Sequence, residues 1–165
     1  MSSYVRYIEK TREYYLAAGY NNPYVWAHFD EVPFTPLKKP LSECCITIVT
    51  TSDVAIKSEQ NRSDKDEPNL TGNVYEIPSD VKASDLITYR AHYDRDATNM
   101  DDVDTFFPIS RLRESVGEGR VGSMAPFFYG VYTTYSQRKT REIDAPYVLN
   151  RCRKNNVDAA ILVPV

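Results

Sequence analysis

Apolar residues recur at helical spacing near the start of the chain. Tyr4, Tyr7, Ile8, Tyr14, Tyr15 and Ala18 share one face, Arg6, Glu9, Lys10, Arg12 and Glu13 surround the other, and Gly19 supplies a stop. The spacing predicts an amphipathic helix over residues 3–18. Residues 20–43 then carry Pro23, Pro33, Pro36 and Pro40, which forbid long regular elements and predict an extended arm. His28 within that arm, between Trp26 and Phe29, reads as a packed or hydrogen-bonded residue rather than a ligand.

The pattern changes at Cys45-Ile46-Thr47-Ile48-Val49-Thr50, β-branched and nearly continuous, which predicts a strand. Its Thr50-Thr51-Ser52 end offers hydroxyls and backbone donors, without the glycines of a dinucleotide or phosphate loop. Residues 57–73 have no apolar period and read as a surface excursion. Val74–Pro78 fits a short edge strand, and Leu86 to Tyr93 alternates loosely as another. Pro108 opens a helix with Ile109, Leu112 and Val116 as its buried stripe, ended by Gly117 or Gly119.

Val121-Gly122-Ser123 is a turn through which backbone can pass closely, and the aromatic run Pro126 to Tyr132 is a candidate pocket lining. A helix follows, with Asp144 as expected N-cap, Pro146 in its first turn, and Val148, Leu149 and Cys152 as packed face. Asn156 can take the left-handed conformation at its end. The apolar run Ala159 to Val165 reads as a buried parallel strand. This helix–strand unit points to an α/β fold: a mostly parallel, Rossmann-like open sheet with flanking helices. Residues 1–44 are expected to form an N-terminal helix and arm, and 45–165 the α/β domain.

Composition narrows the functional classes. Hydrophobic residues make 42% and charged residues 26% of the 165, which excludes wholesale disorder, and the net charge of −3 lacks the basic excess of a nucleic-acid or anionic-membrane surface. The thirteen tyrosines suit half-buried edges first, and a phenol-rich interface or pocket second. Three cysteines, with Cys44 and Cys45 adjacent, match neither a secreted disulfide framework nor a zinc site, and buried thiols are the simplest reading. No apolar leader or membrane-length run is visible, so a cytoplasmic protein is expected.

Candidate chemistry is sparse. Asp94 and Asp96 resemble the start of a calcium loop, but Thr98, Asn99 and Thr105 stand where the next ligand, the glycine and the closing Glu belong. His92 and Asp94, two apart on a strand, share a face, and a carboxylate there can raise the imidazole pKa for acid–base work. A His–Asp bond that merely closes a strand–loop junction accounts for the pair equally well. Tyr135, Ser136, Gln137 and Arg138 bring hydroxyl, amide and guanidinium to the start of the last helix.

Four separated segments carry a family resemblance: His92-Tyr93-Asp94, Phe106 to Glu114, Gly119 to Ser123, and Asn156 to Val165. They resemble the selenoprotein B family of glycine, sarcosine, betaine and D-proline reductases and their shorter relatives. In that family the apolar strand leads directly into selenocysteine or cysteine and then Pro-Val-Cys-His. The resemblance therefore implies a nucleophile just after Val165, none within the 165 residues, and a terminus at a UGA codon read as a stop. It further implies reductive cleavage of a carbon–nitrogen bond on a small-molecule substrate, with dithiols, on a reductant protein, as electron source. For amino-acid substrates it implies a pyruvoyl group on a partner subunit, and it is compatible with an oligomer. A selenol is ionised at neutral pH, where an ordinary thiol is mostly protonated. Substrate-binding residues expected in this chain are His92, Asp94, Tyr135, Ser136 and Arg138, with no metal. A non-catalytic small-ligand-binding or interaction domain on the same frame is the alternative.

Overall fold

The computed structural model describes residues 6–22, 25, 27–57, 73–90, 99–134 and 136–165. The chain divides into two compact units, Met1–Phe34 and Thr35–Val165. In the first, helix α1 spans Tyr7–Ala17 with no buried residue. Arg6 pairs with Glu9 at 3.0 Å, and Tyr15 makes edge-on ring contacts with Tyr14 and Tyr20. His28 is exposed and 3.3 Å from Asp30, an ion-pair position rather than a ligand site.

The second unit is built on β1, Cys45–Thr50, where the β-branched run predicts it. Around it lie β2 (Val54–Ile56), β3 (Val74–Pro78), β4 (Leu86–Thr88), helix α2 (Ile109–Gly117), β5 (Ser123–Met124) and β6 (Phe127–Val131). Helix α3 (Gln137–Lys139) then runs through a π segment at Thr140–Asp144 into α4 (Ala145–Lys154), and β7 (Ala159–Val163) follows. β5, β6 and β7 all pair parallel to β1, whereas β3 pairs antiparallel to β6. β6 and β7 both pair with Val49 and Thr50, and β5 and β7 both pair with Ile46. A strand has only two edges, so β7 lies on one side of β1 and β5 and β6 share the other. β3 is the outer strand beyond β6, as its short Pro-ended sequence predicts. β2 and β4 form a separate antiparallel pair.

Alternation along the strands creates two layers. Ile46 and Ile48 of β1, Tyr75 and Ile77 of β3, and Phe128 of β6 face a core shared with Phe106, Phe107, Ile109 and Leu112. That core is the reason for α2: its apolar stripe is buried at Ile109 and Leu112. Asp102 and Asp104, just before it, accept from backbone amides. Asp102 Oδ1 accepts from Asp104 N at 3.0 Å and Asp104 Oδ1 from Ser110 N at 2.8 Å. Gly122 passes so close to residues 43 and 44 that a Cβ there would lie 2.6 Å from the Glu43 carbonyl carbon.

The opposite face carries the last helix. Arg151 grips Glu76 of β3 with Nε at 2.6 Å and Nη2 at 2.9 Å, and the Tyr147 hydroxyl adds a third contact at 3.3 Å. Asp144 is not the N-cap the sequence suggests. The helix begins earlier, where Ser136 Oγ accepts from Lys139 N, so Asp144 lies inside it with helical backbone angles. It is 2% exposed and accepts from Asn73 N at 3.1 Å and Asn73 Nδ2 at 3.4 Å. Pro146 explains the π segment just before it: it has no N–H for the preceding turn, and the wider turn relieves its ring. Asn156 has φ of 53°, the left-handed conformation its type tolerates.

Two apolar stretches depart from expectation. Phe127–Val131 is a core strand, with Phe128, Tyr129 and Gly130 buried, and Val131 lines a cavity. β7 is parallel as predicted but not buried: Leu162 is 71% and Ile161 40% exposed. Among the described residues β7 has only β1 beside it, so its outer flank lacks the neighbour that a buried strand has.

Candidate functional site

The chain order of the sheet locates its crevice. From β1 the chain passes through α2 on one face to reach β5 and β6; from β6 it crosses by α3 and α4 on the other face, past β1, to β7. The direction of winding therefore reverses between β1 and β7, and open α/β sheets bind ligands at the carboxyl ends of such a strand pair.

At those ends the Thr50-Thr51-Ser52 hydroxyls are fully engaged. Thr50 Oγ1 lies 2.7 Å from Ser52 Oγ and 3.1 Å from both Phe106 O and Val163 O, while Ser52 Oγ donates to Phe106 O at 3.1 Å. Each hydroxyl has one proton, so these short contacts share it. Thr51 does something different. Its Oγ1 accepts from Val165 N at 3.0 Å and lies 3.3 Å from Val165 O as donor, while its own N–H donates to Val163 O at 3.2 Å. A side chain thus takes the place of a strand partner, and the residue just past β1 holds the chain two residues beyond the end of β7.

Beneath the crevice, between the helix and the sheet, lies an apolar cavity of about 640 Å³. Val49, Val131, Val148, Leu149, Cys152 and Leu162 line it, with Thr140 and Asp144 among its few polar walls. The helix residues named for packing do face the sheet, but loosely: α4 has no buried residue and Leu149 is 50% exposed. Burial raises the Cys152 thiol pKa, and nearby Cys45 adds to the effect, so this thiol is a poor nucleophile at neutral pH.

At the other end of β1, Asp158 Oδ2 receives Cys45 N at 2.7 Å and Lys39 Nζ at 2.8 Å. The Lys39 bond, then the backbone donor, hold its carboxyl below the usual range. This cluster ties the start of β7 to β1.

Of the residues predicted for binding, His92, Asp94 and Tyr135 lie outside the described residues. Ser136 is half-buried and caps α3; Arg138 is exposed and pairs with Glu142 at 3.2 Å. Two features were missed. The Thr51 contact with Val165 was signalled only by hydroxyls at a strand end. Arg90, read as one more strand residue, instead lies beside Asp53 and Thr133, past the ends of β1 and β6. Among the described residues there is no group of three His, Cys, Asp or Glu side chains able to hold a metal, and no helix long and apolar enough to cross a membrane.

The layout defines the class: an open, mostly parallel α/β sheet with its crevice at the ends of β1 and β7. Within that class, residues 14–165 match the family described as glycine/sarcosine/betaine reductase selenoprotein B, and the chain belongs to it. It is 27% identical over 132 residues to D-proline reductase subunit gamma of Acetoanaerobium sticklandii, a match covering 78% of this chain and 52% of that protein. It is also similar to two proteins named glycine reductase complex component B subunit gamma. With that of Carboxydothermus hydrogenoformans it shares 26% identity over 136 residues, 81% of this chain and 31% of the relative. With that of Symbiobacterium thermophilum it shares 26% over 144 residues, 87% and 33% respectively. The matches thus span about half of the first relative and about a third of the other two. No solved structure matches the chain significantly.

Proposed function

We propose that the chain is part of a reductase that cleaves a carbon–nitrogen bond of a small amino acid or related amine, with a selenocysteine or cysteine encoded directly after Val165 as nucleophile. The observation that supports this most is the grip of Thr51 on Val165. It fixes the peptide leading out of β7 at the crevice of the sheet, where a selenolate would meet substrate. In the reaction, the selenolate forms a bond to the carbon bearing nitrogen. The electron pair of the broken bond leaves with nitrogen, which is protonated and departs as amine. A dithiol then supplies two electrons to release the carbon product, and is itself oxidised to the disulfide. A pyruvoyl group that holds an amino acid as a Schiff base would belong to a partner subunit. The relatives' names, which call them subunits of D-proline reductase and of a glycine reductase complex, support an assembly of several subunits.

The test is the coding sequence. UGA directly after the Val165 codon, followed in frame by a Pro-Val-Cys-His-like segment, is the expected result. A different stop codon, or a downstream frame without that segment, would sink the reading. The cavity under α4 favours a second reading, a non-catalytic domain that binds a small apolar ligand. Saturable binding of such a ligand by a chain with no downstream nucleophile would establish it.

A further inference from the structure

We infer that Arg90 is the residue that receives the carboxylate of the substrate. The inference deepens the reading above, because it assumes that a small amino acid enters the crevice.

Arg90 N donates to Thr88 Oγ1 at 3.0 Å, Thr88 Oγ1 in turn donates to Ser52 O, and Tyr89 N donates to Asp53 O at 3.1 Å. These bonds pin residue 90 beside residues 52 and 53, just past the end of β1. From there its Nη1 reaches Thr133 Oγ1 at 3.3 Å, just past the end of β6. The guanidinium therefore bridges the carboxyl ends of two adjacent parallel strands. The β1–β7 crevice is one strand further along, about 5 Å away. That separation suits a molecule whose carboxylate and reacting carbon are neighbours.

The Arg90 side chain is only 14% exposed, and a guanidinium so far removed from water needs partners for its donors. Among the described residues the countercharge is Asp53, whose Oδ2 lies 3.9 Å from Nη1, too far for a hydrogen bond. Nε is shielded and has no partner among the described residues. An ion pair built only for stability would seat the carboxylate in the guanidinium fork, as Glu76 sits in that of Arg151. At Arg90, among the described residues, Nε is left without such a partner.

Charge selects the ligand. A planar group with two oxygens matches the fork, which both carboxylate and phosphate could approach. Asp53 beside it disfavours a dianion more than a monoanion. A carboxylate is the better fit. Asp53 also has φ of 50°, a left-handed conformation that holds it at this spot.

The test uses the 165-residue protein and simple anions. Acetate and glycine are titrated while the Nε–H resonance of Arg90, assigned by its absence in Arg90→Lys, is followed by NMR. Saturable shifts with both, and weaker binding of inorganic phosphate, are expected. Arg90→Gln should weaken acetate binding by about tenfold or more, the loss of a charge-assisted bond. Asp53→Asn, which removes the competing carboxylate, should tighten it. No saturable shift, tighter binding of phosphate than of acetate, or unchanged affinity in Arg90→Gln would overturn the inference. Should Arg90→Gln fail to fold, Asp53→Asn decides: weaker acetate binding in that variant rules the inference out. None of these readouts depends on the codon after Val165, so the two readings fail separately.

Discussion

The ring of Tyr75 fills the space that a side chain at Gly130 would take. A Cβ added at Gly130 would lie 1.9 Å from Tyr75 Cζ and 2.3 Å from its hydroxyl oxygen. The two residues face each other across the antiparallel β3–β6 pair, and the Tyr132 ring lies tilted against that of Tyr75, with centroids 4.8 Å apart. Gly130→Ala must therefore displace a buried tyrosine, at a cost of about 1–3 kcal/mol. In a Tyr75→Ala background the same glycine substitution should cost less, because the clash is gone. Thermal unfolding of the single and double variants measures both effects, and simple additivity would contradict the contact.

Glu76 and Arg151 hold the last helix to the outer strand with a two-point contact, each side chain about one-quarter exposed. Arg151→Lys keeps the charge but loses the fork, and should cost about 0.5–1.5 kcal/mol. Glu76→Ala should cost more, about 1–3 kcal/mol, because it leaves the cation without its partner. Urea unfolding curves provide the comparison; an equal effect of both substitutions would argue against a directional contact.

Asp158 makes stability depend on acid. Its carboxyl is held below the usual range by the Lys39 bond first and the Cys45 amide second. The unfolded chain, with an ordinary carboxyl of pKa about 3.9, takes up the proton first as pH falls. The stabilisation is thus complete above that value and disappears as pH drops through the lower folded one. Asp158→Asn should flatten the acid limb of melting temperature against pH. Lys39 mirrors this: its pKa is raised, mainly by Asp158, so its contribution is present below the ordinary lysine value and fades as pH rises through the folded one.

Thr51→Val removes the hydroxyl that accepts from Val165 N and leaves the shape unchanged. Faster hydrogen exchange at the Val165 amide is expected, with a stability loss of about 1 kcal/mol. Thr51→Ser should restore slow exchange. No change at Val165 in Thr51→Val would remove the structural basis for a fixed peptide leaving β7.

Ile48 and Ile161 face each other in the β1–β7 register, but only Ile48 is fully buried. Ile48→Ala should cost about 2–5 kcal/mol. Leu162→Ala, at a position 71% exposed, should stay within about 0.5 kcal/mol. Denaturant titrations of the two variants separate an interior strand from a flank.

Periodic signals in the sequence translate well here. The β-branched run of β1, the Ile109 and Leu112 stripe of α2 and the left-handed Asn156 were all legible, because each is fixed by its own neighbours in the chain. The β2–β4 pair was only half legible: Val54–Ile56 is short, and its partner Leu86–Thr88 is far along the chain. Asp144 misled because Asp favours caps, whereas here a serine eight residues earlier already starts the helix and Asn73 takes up the carboxylate. The run at Ala159–Val163 has the composition of a buried strand, but composition records only a preference for cover. In the site, Ser136 and Arg138 have local duties as cap and ion pair. Arg90 gave no signal, since its meaning comes from Asp53 and Thr133, both distant in sequence.

Among the described residues, β1 has no sheet partner before Ser123. During synthesis it leaves the ribosome as an apolar ribbon, and its first mate follows about 4–16 seconds later at typical rates of ~5–20 residues per second. Closing such distant pairs is slow even in the finished chain. The nascent protein therefore spends that interval with its central strand unprotected, and chaperones that shield extended apolar segments should raise its yield.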